Sequence, residues 1–157
     1  TSDHGYHLGE HHFWQKSRFH EEVTRVPLLI SAPGFDPGRT ASLAELVDMY
    51  PTICDLLGVP VPDPVQGKSL QPVLKDPGAK VRSATLSVKE GTGWSTRTDR
   101  WAYMRYRDGS EELYDMEKDP GQFTNLAGDS TWDDKKSELF QLLEEKKKLA
   151  PAARKRR

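Results

Sequence analysis

Cysteine is nearly absent: Cys54 is the single one in 157 residues, which excludes an internal disulfide framework and a cysteine-built zinc cluster. Histidine is missing from residue 21 onward, so all five imidazoles are packed into the first twenty positions. No apolar run approaches the ~20 residues that a spanning helix needs. The opening Thr1-Ser2-Asp3-His4 is not the basic start and apolar stretch of a secretory signal. An excess of one charge is lacking too. With 23 Lys and Arg against 24 Asp and Glu the net charge is −1, which removes the global field that draws a protein to nucleic acid. A hydrophobic fraction of 35% and a mean hydropathy of −0.75 fit a chain with an extensive wet surface rather than a membrane protein. The length suits one domain, or a small domain joined to a piece of a larger one.

What is present changes period along the chain. Val26-Pro27-Leu28-Leu29-Ile30-Ser31-Ala32, closed by Pro33-Gly34, predicts a buried strand, and its lack of alternation suggests cover on both faces, as in a parallel sheet. Ser42, with Glu45 three residues on, heads a stripe of Leu43, Leu46, Val47, Tyr50, Ile53, Leu56 and Leu57. That pattern predicts a helix opened by a capping box, kinked or split at Pro51 and stopped by Gly58, with Cys54 in its core. A loop-rich stretch to Lys80 has room for a helical turn around Leu70 to Leu74. From Ala84 the period becomes strand-like over Thr85–Val88, Trp94–Arg97 and Arg100–Tyr106, the last placing Trp101, Tyr103 and Arg105 on one face. Asp108-Gly109 predicts a hairpin turn into Glu111–Asp115. Ser137 to Leu149 reads as an amphipathic helix lying on that small antiparallel sheet. Seven of the last twelve residues are Lys or Arg, a solvated basic tail.

The histidines His4, His7, His11, His12 and His20 are interleaved with Gly5, Gly9, Phe13 and Trp14, a density that marks a site. Asp3-His4-Gly5 in a loop can offer a hard oxygen to Ca²⁺ or Mg²⁺, the rest of the coordination shell coming from elsewhere. His7-Leu8-Gly9-Glu10-His11 also satisfies H-x-x-E-H, in which two imidazoles one helical turn apart bind zinc and the glutamate acts as base, the pattern of a zinc metallopeptidase. That reading requires a helix through Gly9, which costs roughly 1 kcal/mol relative to Ala, and no third ligand is identifiable in the sequence. A third reading is a non-catalytic module that binds an acidic polysaccharide through Trp94, Trp101 and the neighbouring arginines, although core packing explains Trp101 equally well.

The longest pattern decides among them. Ser2-Asp3-His4-Gly5, Leu8-Gly9-Glu10-His11, Trp14, Lys16 and Arg25-Val26-Pro27-Leu28 together resemble the second signature block of type I sulfatases. Leu46-Val47-Asp48-Met49-Tyr50-Pro51-Thr52, Gly67-Lys68-Ser69-Leu70, Arg97-Thr98-Asp99-Arg100-Trp101 and Glu112-Leu113-Tyr114-Asp115 follow in the family's order, as do Asp119-Pro120 and Asn125-Leu126. The His-Leu-Gly-Glu-His form and the Arg-Thr-Asp-Arg-Trp strand are most similar to the iduronate-2-sulfatase-like group.

The resemblance implies the carboxy-terminal part of an α/β, alkaline-phosphatase-like sulfatase fold: residues 1–83 as the end of the catalytic domain, 84–150 as a small α+β subdomain, 151–157 as the tail. It implies a sulfuric ester hydrolase acting on a sulfated sugar or glycosaminoglycan-like chain terminus, with Asp3 and His4 as ligands of one Ca²⁺. Lys16 would contact the sulfate and stabilise charge building on its oxygens; Tyr6 would line the sugar pocket and Arg97, with Arg100, would reach the anionic sugar. Glu10 and His11 would be supporting residues. The family's nucleophile is a formylglycine made from the cysteine of Cys-x-Pro-x-Arg, and here the pattern breaks. Cys54 is followed by Asp55-Leu56-Leu57-Gly58 and lies in an apolar stripe, as a core cysteine does. The early Asp pair of these enzymes is missing as well. The expectation is a chain inactive alone, whose partner is the missing amino-terminal part of the same polypeptide, which self-associates through an uncovered sheet edge, and whose setting is periplasmic, secreted or lysosomal.

Overall fold

The structure is a computed structural model that describes residues 1–149; the tail expected at 151–157 lies outside the described residues. Its centre is an antiparallel meander of four strands, β3 (Ala84–Lys89), β4 (Gly93–Thr98), β5 (Trp101–Tyr106) and β6 (Glu111–Asp115), in the order β3-β4-β5-β6. Trp94 pairs with Arg105 and Tyr103 with Leu113. The turn before β6 forms where Asp108-Gly109 predicts it: Gly109 takes φ +90, and its N–H donates to Tyr106 O at 3.1 Å.

Alternation along β5 sends its side chains to two different cores. Trp101 and Tyr103 join Leu113 beneath Leu139 and Leu143 of the long helix Asp133–Leu149, and Arg105 on the same face lies over the Phe140 ring. Ala102, Met104 and Tyr106 face the other way, where Tyr114, Met116 and Phe19 complete a second cluster. The sheet is therefore buried on both faces, by the helix on one and by the amino-terminal segment on the other. Trp101 is buried against Trp132, with ring centroids 5.2 Å apart, so it is a core residue and not a sugar-stacking platform. The helix starts four residues before the expected Ser137. A 3₁₀ turn at Ser130–Trp132, capped by the Asp129 carboxylate on Thr131 N–H at 2.9 Å, leads into it, and Asp133 and Asp134 favour its positive end.

The amino-terminal half is assembled from short pieces: β1 (His7–Leu8) paired with β2 (Trp14–Gln15), helix α1 (Glu21–Thr24), helix α2 (Met49–Leu57) and helix α3 (Gln71–Lys75); the long helix is then α4. Val26–Ile30 is not the predicted strand. Leu29 is 81% exposed, and among the described residues no neighbouring strand takes up this segment's backbone groups. The predicted helix from Ser42 begins later, with a 3₁₀ turn at Leu46–Asp48 abutting α2, and Glu45 rather than Ser42 stands at its start, its N–H donating to Asp48 Oδ2 at 2.8 Å. Pro51 falls in the first turn of α2, where its missing N–H has no partner to lose. Gly58 ends α2 in the left-handed conformation (φ +66), and Cys54 is buried.

Two sequence segments that carry the sulfatase resemblance lock onto each other here. The fully buried Asp48 accepts Lys68 N–H at 2.8 Å and the Arg82 guanidinium, which also grips Glu45. Thr52 Oγ1 donates to Asp48 O at 2.6 Å and accepts Leu70 N–H at 2.9 Å. A Cβ at Gly67 would sit 2.0 Å from Val47 O, so only glycine lets the two strands of this knot approach. Among the described residues no helix is long and apolar enough to cross a membrane.

Candidate functional site

The Asp3-His4-Gly5 loop is pinned against α1. Gly5 N–H donates to Val23 O at 2.8 Å, and a Cβ on Gly5 would come within 1.9 Å of Glu22 O, so the glycine of the motif is required by close backbone approach. This fixes the orientation of His4. Its Nδ1–H donates to Gly5 O at 2.8 Å, which leaves Nε2 with a bare lone pair, and Lys16 Nζ donates to that nitrogen at 2.6 Å. Asp3 Oδ2 lies 3.4 Å from the same Nε2. The Asp3 carboxyl is held below the usual range by the hydrogen bond from its own backbone amide and then by His4, so it is ionised at neutral pH. Asp3 and His4 are thus brought to one point with Lys16, twelve residues after the ring.

That point fits a divalent cation in part: one ionised oxygen and one imidazole nitrogen converge. Among the described residues no further His, Cys, Asp or Glu completes a three-ligand group with them. Tyr6 is half exposed beside the loop. Arg97 sits in β4, its Nε donating to Glu21 Oε1 at 3.0 Å and a second nitrogen to Thr98 O. α1 therefore carries the loop on Glu22 and Val23 and the arginine on Glu21. Arg100 does not point to this loop's ligands; it holds Asp115, with Nη2 2.7 Å from Oδ2.

The H-x-x-E-H reading does not survive. His7 lies in a strand and Gly9 takes φ +125, a conformation that breaks any helix, while His11 and His12 adopt φ near +55. Glu10, the supposed base, is exposed and accepts Leu8 N–H at 2.6 Å. The two imidazoles nevertheless meet, and His20 joins them: one nitrogen from each of His7, His11 and His20 lies within 4.8 Å of the others. Sequence spacing could not identify His20, because the position of its ring is set by Glu112, 92 residues away, whose Oε2 is 3.1 Å from Nε2. The carboxyl of Glu112 would be raised by burial, but hydrogen bonds from His20 and Tyr114 hold it below the usual range. Beside these rings lies a cleft of about 240 Å³ lined in part by His11, Arg18, His20, Glu112 and Phe123.

Comparison with known proteins shows the family to which the chain belongs. The family model described as N-sulphoglucosamine sulphohydrolase, C-terminal, matches residues 9–149. An N-acetylglucosamine-6-O-sulfatase from Bacteroides thetaiotaomicron is 39% identical over 94% of this chain and 29% of its own length. Arylsulfatase K from Xenopus laevis is 34% identical over 82% of this chain and 27% of its own. Among solved structures, BT4656 in complex with its substrate D-glucosamine-2-N,6-O-disulfate superposes with a TM-score of 0.83 at 34% identity, covering 94% of this chain and 33% of that one. The chain thus spans less than a third of the length of the curated relatives it matches.

Proposed function

Because the chain belongs to the sulfatase family, as the portion that the family's C-terminal model describes, we propose that it supplies the cation-holding and sulfate-contacting side of a sulfuric ester hydrolase acting on a sulfated sugar. The observation that carries this is the meeting of Asp3, His4 and Lys16 at His4 Nε2. Asp3 Oδ2 and His4 Nε2 would hold a Ca²⁺, whose charge would polarise a sulfate oxygen. Lys16 brings an ammonium to the same place and would lower the barrier by meeting the negative charge that grows on the sulfate as the ester bond breaks. The one lone pair of His4 Nε2 accepts from Lys16 Nζ here; taken up by the cation, it would release that ammonium to the sulfate, and Gly5 sets the ring by letting the loop lie on α1.

The nucleophile, a formylglycine, would come from a Cys-x-Pro-x-Arg segment outside these 157 residues, which is supported by the burial of Cys54 in α2. On this reading residues 1–83 would be the end of the catalytic domain and 84–150 the small subdomain that follows it, with Tyr6 and Arg97 reaching the sugar. The iduronate-2-sulfate substrate implied by the motif resemblance competes with a 6-O-sulfated glucosamine, which the name of the 39% identical relative supports. The family reading also carries an expected periplasmic, secreted or lysosomal setting.

The test is turnover by the chain in continuous frame with the nucleophile-bearing segment, assayed on 6-O-sulfated glucosamine and on 2-O-sulfated iduronate termini with and without chelation of Ca²⁺. Calcium-dependent release of sulfate by the joined protein, and none by the 157 residues alone, is the expected result. Robust sulfate release by the 157 residues alone would overturn the proposal.

A further inference from the structure

We propose that His7, His11, His20 and Glu22 form a second metal site, separate from the Asp3–His4 position and built for a transition metal of the zinc class. One nitrogen from each of His7, His11 and His20 converges with the others, and Glu22 Oε2 borders the group; His7 Nε2, His11 Nε2, His20 Nδ1 and Glu22 Oε2 are all buried and lack a hydrogen-bond partner. Glu22 Oε2 lies 3.5 Å from His11 Nε2 and 3.9 Å from His7 Nε2. His7 is 0% exposed and His20 4%.

The outer ring atoms explain why the inner ones are bare. His7 Nδ1 is 3.0 Å from Gln15 O, a bond it makes only as a donor, so its proton is on the outside and its lone pair faces the cluster. His20 Nε2–H donates to the Glu112 carboxylate at 3.1 Å, which turns the Nδ1 lone pair inward in the same way. An imidazole whose far nitrogen is held by a carbonyl or a carboxylate is the arrangement found around metal-ligating histidines, where the outer partner fixes tautomer and ring angle. The inward lone pairs of His7 and His20 face each other and the Glu22 carboxylate with no hydrogen bond formed among them, an arrangement that disfavours the empty site. A divalent cation would give each of these atoms a partner.

Donor chemistry selects the ion. Three imidazoles and one carboxylate suit Zn²⁺ and its neighbours, while Ca²⁺ takes oxygen ligands. His11 is the ligand that must move. It stacks on His20 at 3.8 Å with the rings 8° from parallel, and parallel rings do not aim both lone pairs at one atom. Binding tilts His11 out of this stack towards the adjoining cleft, which also provides the entry path. With Glu22 turned onto the metal, protein would fill all four positions, as in a structural zinc site, and the metal would clamp β1, the turn at Glu10–His12 and α1 together around the loop that carries Lys16.

The test adds Zn²⁺ or Co²⁺ to the purified, metal-stripped chain at pH 7.5 and reads bound metal after gel filtration, together with the visible d–d bands of four-coordinate Co²⁺. Expected are one equivalent of metal, a raised Tm, and loss of binding in His7→Gln and Glu22→Gln, with Glu112→Gln weaker by about 10–100-fold. His12→Ala and Asp3→Ala should bind like the parent. Since His7→Gln could fail to fold, circular dichroism is recorded for each variant, and the less buried Glu22→Gln decides if it does. Binding well below one equivalent, binding that survives Glu22→Gln, or binding abolished by Asp3→Ala each overturns the proposal. None of these readouts depends on sulfate release, so failure here leaves the proposed function standing, and the reverse also holds.

Discussion

Lys16 and His4 share a single hydrogen bond of 2.6 Å, in which the ammonium donates to the ring nitrogen left bare by the bond from His4 Nδ1 to Gly5 O. Lys16→Ala in the complete enzyme should therefore remove a charge that acts in the transition state. A fall in kcat of about 10²–10³ is expected, with KM changed far less. An unchanged kcat would assign Lys16 to the surface.

Asp48 is the buried anchor of the segment knot, accepting Lys68 N–H and the Arg82 guanidinium. Asp48→Ala leaves Arg82 nearly buried with Glu45 still on it but removes the acceptor of Lys68 N–H and one of the two carboxylates on the guanidinium, a defect that costs about 1–3 kcal/mol. Urea denaturation should show that loss as a lower midpoint, whereas a shift of less than about 1 kcal/mol would mean that water enters and replaces the carboxylate.

Arg100 holds the Asp115 carboxyl below its usual value through its hydrogen bonds, against an upward push from burial. A carboxyl whose folded pKa is depressed stabilises the fold fully above its unfolded value, 3.8, and loses that contribution as pH falls through the folded one. The stability gap between the parent and Arg100→Gln should be widest above about pH 5 and should close as the solution is acidified below 3.8. Equilibrium unfolding at several pH values measures it; a gap that stays constant would remove Asp115 from the account.

Cys54 is buried in α2. Its thiol should react slowly with a disulfide reagent in the native protein and rapidly once urea unfolds α2, and Cys54→Ala should leave the sulfatase activity of the complete enzyme intact. Fast native labelling would place the thiol at the surface.

How much of this was legible in the sequence depended on how local the cause was. The hairpin at Asp108-Gly109, the alternation of β5 and the stop at Gly58 each follow from a few neighbouring residues, and all appear where the pattern puts them. Val26–Ile30 has the composition of a strand, but a strand exists only with a partner, and its apolar content says nothing about which chain supplies one. The Asp3, His4 and Lys16 grouping was legible through the resemblance, since nothing in a spacing of twelve residues brings Lys16 onto an imidazole. His20 was legible only as one of five clustered histidines, not as the partner of His7 and His11. Its role depends on Glu112 and on Phe19 packing under Met104 and Tyr106, contacts made only after the sheet closes. The start of α4 was missed for a different reason: Asp129 and Trp132 set it from outside the apolar period.

The contacts that seat the first twenty-two residues have a consequence for the order of events during synthesis. Glu21 N–H is held by Gln122, 101 positions later, His20 by Glu112, and Phe19 by strands β5 and β6. The site loop leaves the ribosome about a hundred residues before the groups that hold it in place, which emerge when the meander is made. Closing so long a loop costs entropy that only the finished sheet can offset. A segment made well before the meander therefore acquires its shape only after it, and the histidine-rich segment waits in the open until the strands that follow arrive to receive it.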